Sequence, residues 1–128
     1  CYVLQKALER LGGAIPRNID ALVFLAADID RDTLPGIVRP TRPGQRVAVH
    51  FSREDSVLSV LSGMMNVGKA RLGAAGPPSP VPAHVFAFDQ TAALGTVGGD
   101  DKTPVHSRYL DSRYPVVGNV VDFLAERR

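Results

Sequence analysis

The pattern of hydrophobic and polar positions predicts strands and helices that alternate along the chain. Three apolar runs, 19–27, 46–51 and 83–88, are predicted to be strands. The first run shows no polar alternation, which is typical of a parallel strand covered on both faces by helices. Helical spacing of apolar residues occurs in four segments, 1–11, 32–38, 56–65 and 115–127. This order predicts an α/β fold with a three-stranded parallel sheet flanked by helices.

The composition favours a single domain, residues 1–128, with one hydrophobic core. Of the 128 residues, 45% are hydrophobic, which is enough to fill a core of ordinary size. The proline-rich stretch 73–83 predicts an irregular surface connection, and 95–103 predicts a polar loop. The longest apolar run is seven residues, far below the roughly 20 that span a bilayer, so no membrane span is predicted.

Charge and cysteine content narrow the function classes further. The 15 basic and 13 acidic residues give a net charge of +2, and the basic residues are spread out, which argues against a nucleic-acid partner. One cysteine excludes an intrachain disulfide and favours a reducing compartment such as the cytoplasm. No spacing of histidine and cysteine indicates a metal site. The chain does not begin with methionine, so a targeting signal upstream stays open.

The first predicted strand raises a question about the edge of the sheet. A strand that is apolar on both faces is expected to be central, yet no other segment of the chain can pair with its far edge. We therefore expect further strands upstream of residue 1. Where no other chain covers that edge, we expect poor solubility or self-association through it.

Residues that can carry chemistry follow the second and third predicted strands. Asp55 ends the turn Ser-Arg-Glu-Asp, and His106 lies in the tract Pro-Val-His-Ser. The C-terminal ends of parallel strands are where such sheets place chemistry, so both residues are candidate members of a hydrolase triad. A histidine can take the proton of a serine hydroxyl while a carboxylate fixes its tautomer. The third member is not visible, because the chain contains no Gly-x-Ser-x-Gly.

Three tracts resemble the C-terminal half of an α/β-hydrolase, of a mostly bacterial and functionally uncharacterised branch. They are Leu-Ala-Ala-Asp-Ile-Asp-Arg-Asp at 25–32, Ser-Arg-Glu-Asp at 52–55, and residues 63–73. The resemblance implies that the sheet is the remnant of a doubly wound hydrolase sheet, truncated at its N-terminus. It also implies a Ser-Asp-His triad in which Asp55 is the acid and His106 the base, with the serine about three residues before Cys1. The complete protein would then be an esterase- or lipase-like serine hydrolase of small ester-type substrates, needing no cofactor.

Asp55 also has a purely structural interpretation. The tract 52–55 directly precedes an apolar helix and forms a capping box, in which Asp55 only binds a backbone N–H at the helix start. Asp28 is then the fallback acid. His106 can likewise be a solvated loop histidine, and His50 and His84, in or beside strands, are expected to be structural. The competing function is a non-catalytic binding or scaffold module that keeps the hydrolase fold without the reaction.

Two further chemistries are compatible with other residues of the chain. Asp28-Ile-Asp30 after a strand fits a magnesium-dependent phosphohydrolase, although Asp32 stands where those enzymes carry threonine or valine. In the hydrolase interpretation these aspartates cap the next short helix. Cys1 as an N-terminal nucleophile is disfavoured, because a helix that continues upstream leaves no free amine.

Overall fold

A three-stranded parallel sheet forms the centre of the structure, a computed structural model that describes residues 2–62, 64, 68–95 and 102–126. Its strands are β1 (Ala21–Leu25), β2 (Arg46–Phe51) and β3 (Val85–Asp89). They are neighbours in that order, and both pairings are parallel. The predicted parallel α/β sheet is therefore confirmed, with β2 in the middle because it alone has a strand on each side.

Helices connect and flank the strands. The α-helices whose bounds lie within the described residues are α1 (Tyr2–Arg10), α2 (Leu34–Ile37), α3 (Leu72–Ala75), α4 (Thr91–Leu94) and α5 (Val116–Ala125). The described residues also form 3₁₀ helices, which are wound more tightly than an α-helix, at Arg31–Thr33 and Val105–Leu110. A more widely wound π-helical segment occurs at Val57–Ser62. In the part of the chain described, no helix is both long and apolar enough to cross a membrane.

Some predicted boundaries and faces are corrected by the structure. The spacing in 1–11 predicts that Leu4, Leu8 and Leu11 share one buried helix face. Only Leu8 is buried, whereas Leu4 in α1 and Leu11, just after its end, are exposed. The apolar spacing in 115–127 predicts an inner face that includes Val116, Phe123 and Leu124. In α5 Val116 and Phe123 are buried, whereas Leu124 is half exposed. Residues 96–101 of the predicted loop and residue 127 of the predicted last helix lie outside the described residues.

Two hydrophobic clusters hold the layers together. The first packs one sheet face, including Phe24 and Val49, against Leu8 of α1 and Leu34 of α2. The second includes Leu58, Leu94, Val105, Tyr109 and Val116, which belong to the segments after β2 and β3. Because this second cluster is built from those connections, it holds the polar loops that leave the sheet at its C-terminal edge.

The outer edge of β1 has no strand beside it in the described residues. Its hydrogen-bonded ladder runs only to β2, in a parallel register that pairs Ala21 with Arg46 and Leu25 with His50. Of its five residues only Phe24 is fully buried. Within the described residues, β1 is thus an edge strand that pairs on one side only.

The side chain of Gln45 joins the loop before β2 to the loop before β1. It is almost completely buried, with 2% of its surface exposed. Its Oε1 accepts hydrogen bonds from the backbone N–H groups of Thr41, at 2.6 Å, and Arg42, at 3.2 Å. Its Nε2 donates to the carbonyls of Pro16 and Ile19, each at 2.8 Å. This one amide therefore contributes four of the hydrogen bonds that hold the two loops at the N-terminal edge of the sheet.

Replacing Gln45 with alanine is expected to lower the free energy of unfolding by about 2 kcal/mol, because buried carbonyls and N–H groups lose their partner. Urea unfolding followed by circular dichroism measures this change. The matched control is Gln5→Ala, which removes only a surface contact with Glu9 and is expected to cost no more than about 0.5 kcal/mol. An equal loss of unfolding free energy in the two variants would contradict the stabilising role of the Gln45 hydrogen bonds.

Candidate active site

Asp55 and His106 meet at the C-terminal edge of the sheet. Asp55 follows the end of β2, and His106 lies in the 3₁₀ helix Val105–Leu110 that follows β3. His106 Nδ1 is 2.8 Å from Asp55 Oδ2, although the two residues are 51 positions apart. The structure therefore brings together the pair of residues that the strand ends predict.

Both oxygens of the Asp55 carboxylate are hydrogen-bonded. The side chain is 0% exposed. Its Oδ1 accepts a hydrogen bond from the backbone N–H of Leu58 at 3.2 Å, so it caps the π-helical segment, while Oδ2 contacts His106. The cap and the histidine contact were alternatives at the level of sequence, and the geometry of this carboxylate satisfies both at once.

The capping arrangement differs from the box that the tract 52–55 predicts. The hydroxyl of Ser52 accepts from the N–H of Glu54 at 3.3 Å, and Asp55 binds forward to Leu58 rather than back to Ser52. Asp55 is thus the capping residue itself. The hydrogen bond from Leu58 N–H orients its side chain independently of the contact with His106.

The contact with Asp55 determines which ring nitrogen of His106 carries the proton. An ionised carboxylate only accepts hydrogen bonds, so Nδ1 is the donor and Nε2 of the neutral ring keeps its lone pair. The His106 side chain is 37% exposed, whereas its partner is fully buried. In the described residues no group hydrogen-bonds Nε2. An arrangement of this kind can serve as a general base, because Nε2 is open to accept a proton.

Tyr109 adds a buried hydroxyl to this region that the sequence analysis missed. Its side chain is 2% exposed, and the hydroxyl has no hydrogen-bond partner within the described residues. Burial first, and then the charges of Asp55 and Asp89, raise the pKa of Tyr109 above its usual range. The phenol therefore stays protonated at neutral pH. The available signal was its spacing of three from His106, which one 3₁₀ turn places on the same side.

His50 and His84 have structural surroundings, as the sequence predicts. His50 is completely buried in β2, and its ring stacks on Phe88 with centroids 4.6 Å apart. Burial lowers the pKa of His50 to about 4. Its Nδ1 lies 3.0 Å from Gln90 Nε2, and His84 Nε2 lies 2.8 Å from the carbonyl of Val38. Neither contact involves the Asp55–His106 pair.

Asp28 and Asp30 have separate cationic partners. Arg71 Nε donates to Asp28 Oδ1 at 2.6 Å, so Asp28 is an ion-pair partner rather than the helix cap expected from sequence. Asp30 Oδ1 does cap the next helix, accepting from the N–H of Asp32 at 3.0 Å, and Lys69 lies 3.2 Å from its other oxygen. The cap first, opposed by burial and helped by Lys69, lowers the pKa of Asp30. Across the described ranges no three metal-ligating side chains are grouped.

The backbone of Gly73 forms hydrogen bonds with both loops that leave β1 and β2. Its N–H donates to the carbonyl of Ala27 at 2.9 Å, and its carbonyl accepts from the N–H of Ser52 at 3.0 Å. A Cβ at this position would lie 2.4 Å from the carbonyl carbon of Ala26, so no side chain fits. Ala26 itself adopts the left-handed region, with φ of +44°. The backbone before Asp55 is therefore fixed against the end of β1.

Several residues named from the sequence lie outside the described part of the chain. Cys1 is one of them, and residues 63 and 65–67 of the hydrolase-like tract 63–73 are others. The nucleophile serine expected upstream of Cys1 is likewise not part of the chain.

No known family, curated protein or solved structure matches this chain. Its function is therefore inferred from the geometry of the Asp55–His106 pair and from the chemistry that this geometry allows.

Proposed function

We propose that Asp55 and His106 are the acid and base of a serine hydrolase that cleaves ester-type substrates. The observation that carries the proposal is the 2.8 Å contact between His106 Nδ1 and Asp55 Oδ2, at the edge where parallel strands end. A fully buried carboxylate paired with a partly exposed imidazole favours this role over that of a surface ion pair.

In the proposed reaction, Nε2 of His106 takes the proton of a serine hydroxyl as the oxygen attacks the ester carbonyl carbon. The C–O bond to the alcohol then breaks, and the same proton leaves with the alcohol. Water, activated in the same way, releases the acid. Asp55 keeps the proton on Nδ1 and stabilises the imidazolium that forms. No cofactor takes part in these steps.

The nucleophile belongs to the segment N-terminal to α1 in this proposal, as the resemblance to α/β-hydrolases implies. The chain order would then be serine, Asp55, His106, which is the order of that superfamily. The backbone N–H after the serine would supply part of the oxyanion hole. This chain contributes the acid, the base and their support.

A p-nitrophenyl acetate assay compares this chain with a polypeptide extended upstream through the expected serine turn. We expect ester turnover only in the extended polypeptide, because acid and base without nucleophile and oxyanion hole have little to act on. Turnover by residues 1–128 alone would contradict the proposal, because the chemistry would then use another group.

A binding or scaffold module is the second candidate, and one contact favours it. The hydrogen bond from Leu58 N–H to Asp55 Oδ1 gives the buried carboxylate a structural role that needs no reaction. Under this alternative the extended polypeptide folds but does not hydrolyse esters. The magnesium phosphohydrolase is less favoured, because Arg71 and Lys69 already contact Asp28 and Asp30.

A further inference from the structure

A pocket of about 650 Å³ opens at the N-terminal edge of the sheet. It is lined by the starts of β1 and β2, by the loop that precedes β2, and by Leu124 near the end of α5. Asp55 and His106 lie beyond the opposite ends of the strands, so this pocket is separate from the candidate active site.

The walls of the pocket are connected by hydrogen bonds. Arg42 Nε donates to the carbonyl of Arg17 at 2.8 Å, and Gln45 links the same two loops from the buried side. Arg46 Nη1 donates to the carbonyl of Phe123 at 3.0 Å, which fixes the start of β2 to α5. Because these side chains already hold one another in place, a ligand would have few groups of the walls to order.

Arg46 has more free N–H donors than Arg42 within the described residues. The Arg46 guanidinium stands 4.7 Å from the Phe123 ring centroid, and its only acceptor within the described residues is the Phe123 carbonyl. A guanidinium carries five N–H donors in a planar fork that matches a carboxylate. Arg42 instead donates to two backbone carbonyls and forms an ion pair with Asp20.

Charge and shape specify the class of ligand. Two guanidinium groups and one carboxylate line the pocket, which leaves one positive charge in excess. Leu124 is 50% exposed and provides an apolar wall near the free donors of Arg46. An anion with a flat pair of oxygens and a short apolar arm would satisfy both features.

We propose that this pocket binds a small organic carboxylate. Its two oxygens accept hydrogen bonds from the free N–H groups of Arg46, and its alkyl arm packs on Leu124. Asp20 repels the ligand and limits its affinity. This proposal does not depend on the hydrolase proposal, because neither Asp55 nor His106 lines the pocket.

Titration of the ¹⁵N-labelled chain with butyrate tests the proposal by chemical-shift perturbation. We expect saturable shifts confined to Gly44, Arg46 and Leu124 with a dissociation constant on the order of 1 mM. Arg46→Lys keeps the charge but loses the fork, and is expected to weaken binding by about tenfold. Arg10→Lys, on the exposed end of α1, is the matched control and leaves the affinity unchanged.

Asp20→Asn supplies a readout that partial unfolding cannot imitate. Removing the one carboxylate of the pocket is expected to tighten butyrate binding by about threefold to tenfold. Inorganic phosphate and n-butylamine complete the test, and both are expected to bind much more weakly than butyrate. Shifts absent from the pocket, equal affinity for phosphate, or no response to Asp20→Asn would each overturn the proposal.

Discussion

Replacing His106 with alanine in the polypeptide that includes the upstream serine is expected to lower kcat for p-nitrophenyl acetate by about 10⁴-fold or more. In the proposed mechanism the imidazole is the group that accepts the serine proton, so its removal takes away the general base. His106 is partly exposed, so the substitution leaves little buried volume empty. The far-ultraviolet circular dichroism spectrum is therefore expected to stay unchanged while turnover is lost.

Asp55→Asn separates the two roles of the buried carboxylate. The amide oxygen of asparagine can still accept from Leu58 N–H, so the helix cap is retained. The amide nitrogen would face His106 Nδ1 and favour the wrong tautomer, with an expected loss in kcat of about 10⁴-fold. Asp32→Asn, at a side chain that is 79% exposed, is the matched control and leaves kcat unchanged. A fully active His106→Ala variant would contradict the assignment of His106 as the base.

The free energy of unfolding is expected to fall by about 3 kcal/mol as the pH is lowered from 6.5 to 4, because of His50. Burial lowers the pKa of this histidine to about 4 in the folded chain, against a usual value of 6.5. Between these values the unfolded chain binds a proton that the folded chain excludes. Above pH 6.5 both states are neutral, and below pH 4 both are charged, so the loss is confined to that window.

His50→Phe isolates this contribution. Phenylalanine keeps an aromatic ring against Phe88 and removes the titratable nitrogens. Urea unfolding at several pH values should therefore show a flatter stability profile for the variant between pH 6.5 and 4. Because the pKa of Asp30 is lowered, this carboxylate stabilises the folded chain, and the contribution is lost mainly as the pH falls below the usual value of 3.8. It therefore does not mask the effect of His50 between pH 6.5 and 4. Parallel profiles for the two proteins would contradict the assignment to His50.

The sheet was predictable because its strands are short, apolar and bounded by polar turns. A run such as 46–51 has one plausible conformation, and the alternation of strands with helices predicts parallel pairing. Asp55 and His106 could be selected for the same reason, since each follows a strand that ends at one edge of the sheet. The 2.8 Å contact follows from that common edge more than from any local motif.

The sequence did not predict the features that depend on packing between distant segments. Arg71 lies 43 residues from Asp28, and nothing in either local sequence indicates their ion pair. The sequence of the 3₁₀ helix that carries His106 and Tyr109 shows no apolar period that would predict a helix. Its buried side chains are covered by segments that are distant in sequence. For Leu124 the prediction from sequence was wrong in the opposite direction. Its helical spacing suggests burial, yet no described element packs over that position.

Gly73 determines which part of the link between β2 and β3 can be exchanged in protein engineering. Its two backbone hydrogen bonds and the absence of space for a Cβ fix where the chain passes the ends of β1 and β2. Residues 71–76 would therefore have to be transplanted as one unit into any chimera. Residues 77–81 form an irregular connection before β3, so a loop library or a peptide tag would be better placed there.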